Sequence, residues 1–143
     1  MADDLGLSNY AKAYLSRVRQ ADSIIRNLCS ARCSLRINMY GMPHGHGDAE
    51  QTRRILARIG ELEREIDTYI DALIGLKADA LLRIREMDSL SEQDVLIARY
   101  IQLLPWHKIA AQMHYSEQHI YRLHGAALLS FGKIIRRETE TSK

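Results

Sequence analysis

The sequence predicts an all-α fold: a long antiparallel, coiled-coil-like helical hairpin followed by a small trihelical domain. Three observations predict it. Two stretches before residue 88 place apolar residues at alternating spacings of three and four. A glycine- and proline-bearing segment, 41–47, lies between them. Leucine, isoleucine, alanine, arginine and glutamate dominate a chain of 143 residues with only two prolines and eight glycines, a composition that favours helix over sheet.

The first stretch runs Tyr14, Val18, Ala21, Ile25, Leu28, Leu35 and Met39, with Arg32 at the one place where the pattern expects a hydrophobe. This is a heptad seam. Arg32 suits either a polar residue that sets register or an arginine that snorkels from an apolar seam. Ser8 is a plausible N-cap. Gly41-Met42-Pro43-His44-Gly45-His46-Gly47 ends the helix because glycine and proline cannot continue it, so the first helix is read as residues 8–40.

The second helix opens at Asp48, with Gln51 in the capping-box position three residues on. Its seam holds through Ile55, Ile59, Leu62, Ile66, Tyr69, Leu73, Leu76, Ala80, Ile84 and Met87. Leu56, Ile70, Ile74 and Leu81 widen the stripe, so this helix is expected to touch more than one neighbour. The short turn makes the two helices antiparallel, roughly 45–60 Å long at 1.5 Å per residue. The spare apolar face predicts either pairing with another copy or docking of the C-terminal domain. The charged run Glu61, Glu63, Arg64, Glu65 and Asp67 reads as a solvated helix face.

Asp88-Ser89-Leu90-Ser91 punctuates the chain, and Ser91 followed by Glu92 and Asp94 reads as the start of a third helix, to about Leu103. Leu104-Pro105 breaks it, with Pro105 read as the first residue of a fourth helix that runs from Trp106 to Met113. His114-Tyr115 turns the chain, Ser116 caps, and a fifth helix follows to about Ile135, with a fraying tail from Arg136. Trp106 reads as a partly buried packing anchor.

The last three helices carry the strongest signal. Ile109, Ala110 and Met113 make one short apolar face, Ile120 and Leu123 the inward face of the next helix, and Ser116 starts that helix after a tight turn. This is the pattern of a helix–turn–helix. Left outward are Glu117, Gln118, His119, Tyr121, Arg122 and His124, on the turns that in such a motif lie nearest the base edges of DNA. Gln118 can bond adenine twice, Arg122 can fork onto guanine, and Glu117 can accept from cytosine. Tyr121, His119, Lys108 and the Ser116 hydroxyl suit phosphates.

From Ser91 to Phe131 the chain resembles the fourth conserved region of bacterial sigma factors. The carriers are Leu90-Ser91-Glu92, Tyr100-Ile101, Trp106-His107-Lys108-Ile109-Ala110, Met113-His114-Tyr115-Ser116, Ile120-Tyr121-Arg122-Leu123-His124 and Ala127-Leu128. In this form it is similar to small phage and prophage regulators of late genes, the ArpU and RinA type, in which a coiled-coil-like segment also precedes the sigma-like domain. The resemblance implies a sigma region 4-like helix–turn–helix and a transcription regulator that binds double-stranded DNA, with host RNA polymerase as a further candidate partner; the spare apolar face of the hairpin adds the expectation of a dimer. It departs in its recognition helix, where sigma factors are strongly basic and this chain offers one arginine. No counterpart of the other sigma-factor regions is visible. Two other readings share the pattern: a small-terminase-like DNA-packaging subunit, and a polymerase-binding adaptor that does not contact DNA.

Net charge is only +2, with a modest bias and no basic footprint: 13 basic and 13 acidic residues over 1–90, and 7 and 5 over 91–143 with four of the six histidines. No apolar run approaches the roughly 20 residues of a membrane span, and the N-terminus lacks a signal-peptide pattern; a cytoplasmic protein of a bacterial host is expected. Cys29 and Cys33 are expected to stay reduced. With His44 and His46 they match no common zinc finger, so no metal or other cofactor is expected. No nucleophile–base pair, phosphate loop or carboxylate pair points to catalysis, and an enzyme is not expected. The expected organisation is an oligomerising helical hairpin at 1–88 and a DNA-binding domain at 89–143.

Overall fold

A computed structural model describes residues 2–40 and 49–141. Over these residues the chain is all-α. The helices are α1 (Ala2–Tyr40), α2 (Ala49–Ile84), α3 (Leu90–Leu96), α4 (Trp106–Met113) and α5 (Glu117–Thr141); a π-helical segment, Ile97–Ile101, continues α3, and no strand occurs among the described residues. The turn 41–47 with its two histidines, and the expected cap at Asp48, lie outside the described residues. No helix among the described residues is long and apolar enough to cross a membrane.

The chain forms two compact units, Met1–Arg19 with Gly75–Lys143, and Gln20–Ile74. In the second unit most seam residues face inward: Ala21, Ile59, Leu62 and Ile66 are buried, and Ile25, Leu28, Leu35, Met39, Ile55 and Leu73 are half-buried, while Tyr69, also read in the seam, is exposed. Arg36 of α1 donates to Glu63 of α2 at 2.7 Å. Arg32 lies half-buried in the seam, one turn from Cys29, and both cysteines are free.

The first unit holds one hydrophobic core to which every helix contributes. Ala11 and Leu15 of α1 and Ala80 and Ile84 of α2 join Val95 and Leu96 of α3, Ile109 and Ala110 of α4, and a stripe along α5 that includes Ile120, Ala127, Leu128 and Phe131. The start of α1 and the end of α2, which the sequence groups with the N-terminal segment, therefore share a core with the C-terminal helices. Tyr14 packs on Phe131 with ring centroids 5.7 Å apart. Arg83 joins three helices, donating to Glu138 at 2.6 Å and to the Tyr14 hydroxyl at 2.9 Å.

Four boundaries differ from the sequence reading, each for a local reason. First, α1 starts at Ala2, with Ser8 inside it, because Asp3 and Asp4 favour a helix N-terminus and Leu7 lies directly on Gly132 of α5. Second, α3 is capped by Ser89, not Ser91: the Ser89 hydroxyl accepts from the Glu92 amide at 3.3 Å, the register of a Ser-x-x-Glu box. Third, Pro105 caps α4 from outside, in extended backbone (φ −70°, ψ 157°), with Trp106 the first helical residue. Finally, α5 does not fray at Arg136 but continues to Thr141, as Arg136 pairs with Asp3 at 2.7 Å and Glu138 with Arg83.

The end of the third helix also departs from a plain α-helix. The π turn closes through Gln102 N–H to Ile97 O at 2.8 Å, and Leu104 N–H then reaches Ala98 O at 3.0 Å across Leu103, which is left-handed at φ 58°. A second left-handed residue, His114 (φ 60°, ψ 38°), ends α4. There the Tyr115 amide bonds Ala110 O at 3.0 Å and the His114 amide bonds Ala111 O at 3.3 Å, the two hydrogen bonds of a Schellman closure. A β-carbon in this conformation costs about 1–2 kcal/mol, and His114 is exposed. His114→Gly is therefore expected to stabilise the protein by about 0.5–1 kcal/mol after the added freedom of the unfolded chain is subtracted, read as a higher denaturant midpoint at unchanged slope.

Candidate nucleic-acid interface

The candidate surface is built on the turn between α4 and α5. Three residues, 114–116, join them, and both ends of the turn are closed by hydrogen bonds. The Schellman closure fixes the exit from α4, and Ser116 Oγ accepts the His119 amide at 3.1 Å to cap the entry into α5. Beneath it, Ile109 and Ile120 are fully buried and Ala110 nearly so. A small residue at 110 lets the two helices cross closely. The first two turns of α5 are thereby held at a fixed angle and roll.

With Ile120 turned inward, Glu117, Gln118, His119, Tyr121 and Arg122 are exposed. Lys108, on the first turn of α4, is exposed as well. His119 rests against Tyr115 with ring centroids 4.4 Å apart. Tyr121 leans edge-on against Trp106 at 5.3 Å but keeps 49% of its surface in solvent. Ser116 is exposed; its oxygen serves the cap, while its hydroxyl proton stays free to donate.

His124 does not belong to this surface, contrary to the sequence reading. It lies one turn beyond Ile120 and one turn before Ala127 and Leu128, on the buried side of α5. Its Nε2 shares a 2.8 Å hydrogen bond with the Tyr100 hydroxyl. Trp106 packs edge-on against its ring at 4.7 Å.

No spacing or motif in the chain signals what surrounds this ring. The Arg99 guanidinium lies 4.2 Å from the centre of the Trp106 ring and donates to Leu104 O at 3.1 Å, while Arg19 of α1 donates to Arg99 O at 3.3 Å. The π turn thus sends Tyr100 to His124 and Arg99 to Trp106. Both contacts pack against the first turns of α5 from the side of α3 and α4.

Burial, helped by the charges of Lys12 and Arg99, pushes the His124 imidazole down to about 4. Its unfolded value is near 6.5. On acidification the unfolded chain therefore takes up this proton first, so His124 removes stability between about pH 6.5 and 4 and has no effect on stability above that window. Because the ring is only partly buried, the loss is expected to be about 1–2 kcal/mol, less than the full shift implies. His124→Gln, which can still bond Tyr100, should flatten the melting temperature against pH over this window; an unchanged profile would remove His124 as the cause.

No protein-family model matches the chain, and no curated protein or solved structure matches it.

Proposed function

We propose that the chain is a sequence-specific DNA-binding transcription regulator of the phage type, acting as a dimer, with α4 and α5 as its helix–turn–helix. In this reading α5 enters the major groove. Gln118 reads adenine and Arg122 guanine, Glu117 accepts from cytosine, and Lys108, Ser116, His119 and Tyr121 hold the phosphates on either side. His124 takes no part in contact; it fixes the roll of the helix through Tyr100.

The observation that carries the reading is the pairing of a rigidly closed turn with exposed Gln118 and Arg122 over a buried Ile120. Base readout needs both: forked side chains, and a helix that does not rock when they engage. The electrostatics fit a reader of sequence more than a general polyanion binder. The exposed cations Lys108 and Arg122 share the motif with the exposed acid Glu117, so few phosphates are neutralised and non-specific affinity should be low.

Fluorescence anisotropy on labelled duplexes tests it. On a preferred site, Arg122→Ala is expected to cost about 1–3 kcal/mol and to relax the preference at one base pair. Lys108→Ala should weaken all duplexes alike and lower the slope of log K against log salt by about 1. Equal binding of every duplex by the wild type would remove the sequence-reading role.

A further inference from the structure

The hairpin arms offer α2 a second apolar flank that α1 leaves uncovered. Taking the seam of α2 as heptad positions a and d, each of Ile55, Leu62 and Tyr69 is a d residue, and the e residues that follow them are Leu56, Glu63 and Ile70. Leu56 is 51% and Ile70 38% exposed, and Ile74 beside them is 62% exposed. In an antiparallel pair, e faces e. The Arg36–Glu63 bond at 2.7 Å shows α1 meeting this edge with an e residue of its own. One heptad earlier in α1 the e residue is Cys29, too small to cover Ile70. A helix apolar at a, d and e suits the core of a bundle more than a two-helix seam; over the hairpin arms the e residues of α1 are Asp22, Cys29 and Arg36, whereas α2 places Leu56 and Ile70 on either side of Glu63.

We propose that a second copy of this chain docks on this flank, its α2 lying antiparallel across the first about a two-fold axis near Glu63, so that two hairpins form a four-helix bundle. The heptad spacing places Leu56 of one copy opposite Ile70 of the other, twice by symmetry. The two Glu63 carboxylates come close, but each is held by its own Arg36. Charge chooses this occupant and this direction. Residues 53–58 of α2 carry Arg53, Arg54 and Arg58, while 61–71 carry five acids and one arginine. About this axis Asp71, next to Ile70, falls within one turn of the partner's Arg53, which at position b shares the flank with Leu56, and the pair occurs twice by symmetry; a parallel copy would set acid on acid.

The proposal rests on the dimer in the function above and is tested without DNA. Sedimentation equilibrium of the full chain should show a dimer at micromolar concentration. Ile70→Glu should weaken it by about 100-fold or more, because the two-fold axis removes the contact twice. Ile37→Glu is the control: Ile37 is 64% exposed on the far side of α1, and its dimer should be unchanged. As an independent measure in a Cys29→Ser, Cys33→Ser background, Leu56→Cys combined with Ile70→Cys should oxidise to a covalent dimer. Neither single cysteine should, since residues 56 and 70 lie about 21 Å apart along the helix. A wild type monomeric at about 100 μM, an Ile70→Glu dimer as tight as the wild type, or cross-linking by either single cysteine would each overturn the proposal. A dimer of this form that selects no DNA sequence would defeat the regulator reading alone. A monomer that selects a half-site would defeat only the bundle.

Discussion

Phe131→Ala is expected to cost about 3–5 kcal/mol, the range for emptying an aromatic side chain from a packed core. Phe131 has no solvent-exposed surface, packs on Tyr14 of α1, and lies in a core that draws on all five helices. A cavity at this point cannot be closed by one helix settling, because the neighbouring residues come from different elements. A domain of this size is stable by about 5–15 kcal/mol, so the variant should lose about a fifth or more of its stability. Urea unfolding monitored by circular dichroism will show it as a lower midpoint at unchanged slope. A loss under about 1 kcal/mol would mean that the helices do not share one core.

The second large effect comes from adding a single carbon. At Gly132 of α5 a β-carbon would stand 2.6 Å from the carbonyl oxygen of Leu7 and 3.0 Å from its carbon. These are backbone atoms, which cannot swing aside as a side-chain tip does. Gly132→Ala must therefore lift the start of α1 off α5 and strain the Asp3–Arg136 pair, at a cost of about 1–3 kcal/mol for overpacking. Gly125, on the same helix, has nothing within 4 Å of the corresponding position. Gly125→Ala should instead stabilise by about 1 kcal/mol through helix propensity. The pair is expected to differ by about 2–4 kcal/mol, and equal effects would contradict the close approach of α1 and α5.

Much of this was legible in the sequence because periodicity reports on burial. The seam residues of α1 and α2, the limits of α4 at Trp106 and Met113, the Ser116 cap and the inward Ile120 follow from spacings of three and four and from cap chemistry alone. What was not legible depends on contacts far apart in the chain. Ser8 reads as a cap unless one knows that Leu7 finds Gly132, and the polar tail after Ile135 reads as frayed until Asp3 and Arg83 supply partners. The π turn leaves no trace in composition, since its residues are ordinary helix formers; it is visible only through where Arg99 and Tyr100 end up. His124 is a different case: its spacing from Ile120 sets it on the side of α5 that carries Ala127 and Leu128, its polarity alone reads as outward, and the partner that holds it half-buried is Tyr100, 24 residues away.

The central claim is that α5 presents Gln118 and Arg122 to base edges from a rigid platform. Selection of bound duplexes from a random pool tests it most directly, using the wild type, Gln118→Ala and Arg122→Ala in parallel. The account predicts an enriched site that repeats with two-fold symmetry, with an adenine preference lost in the first variant and a guanine preference lost in the second. A pool that emerges unenriched at low salt, or the same site returned unchanged by both variants, would contradict it.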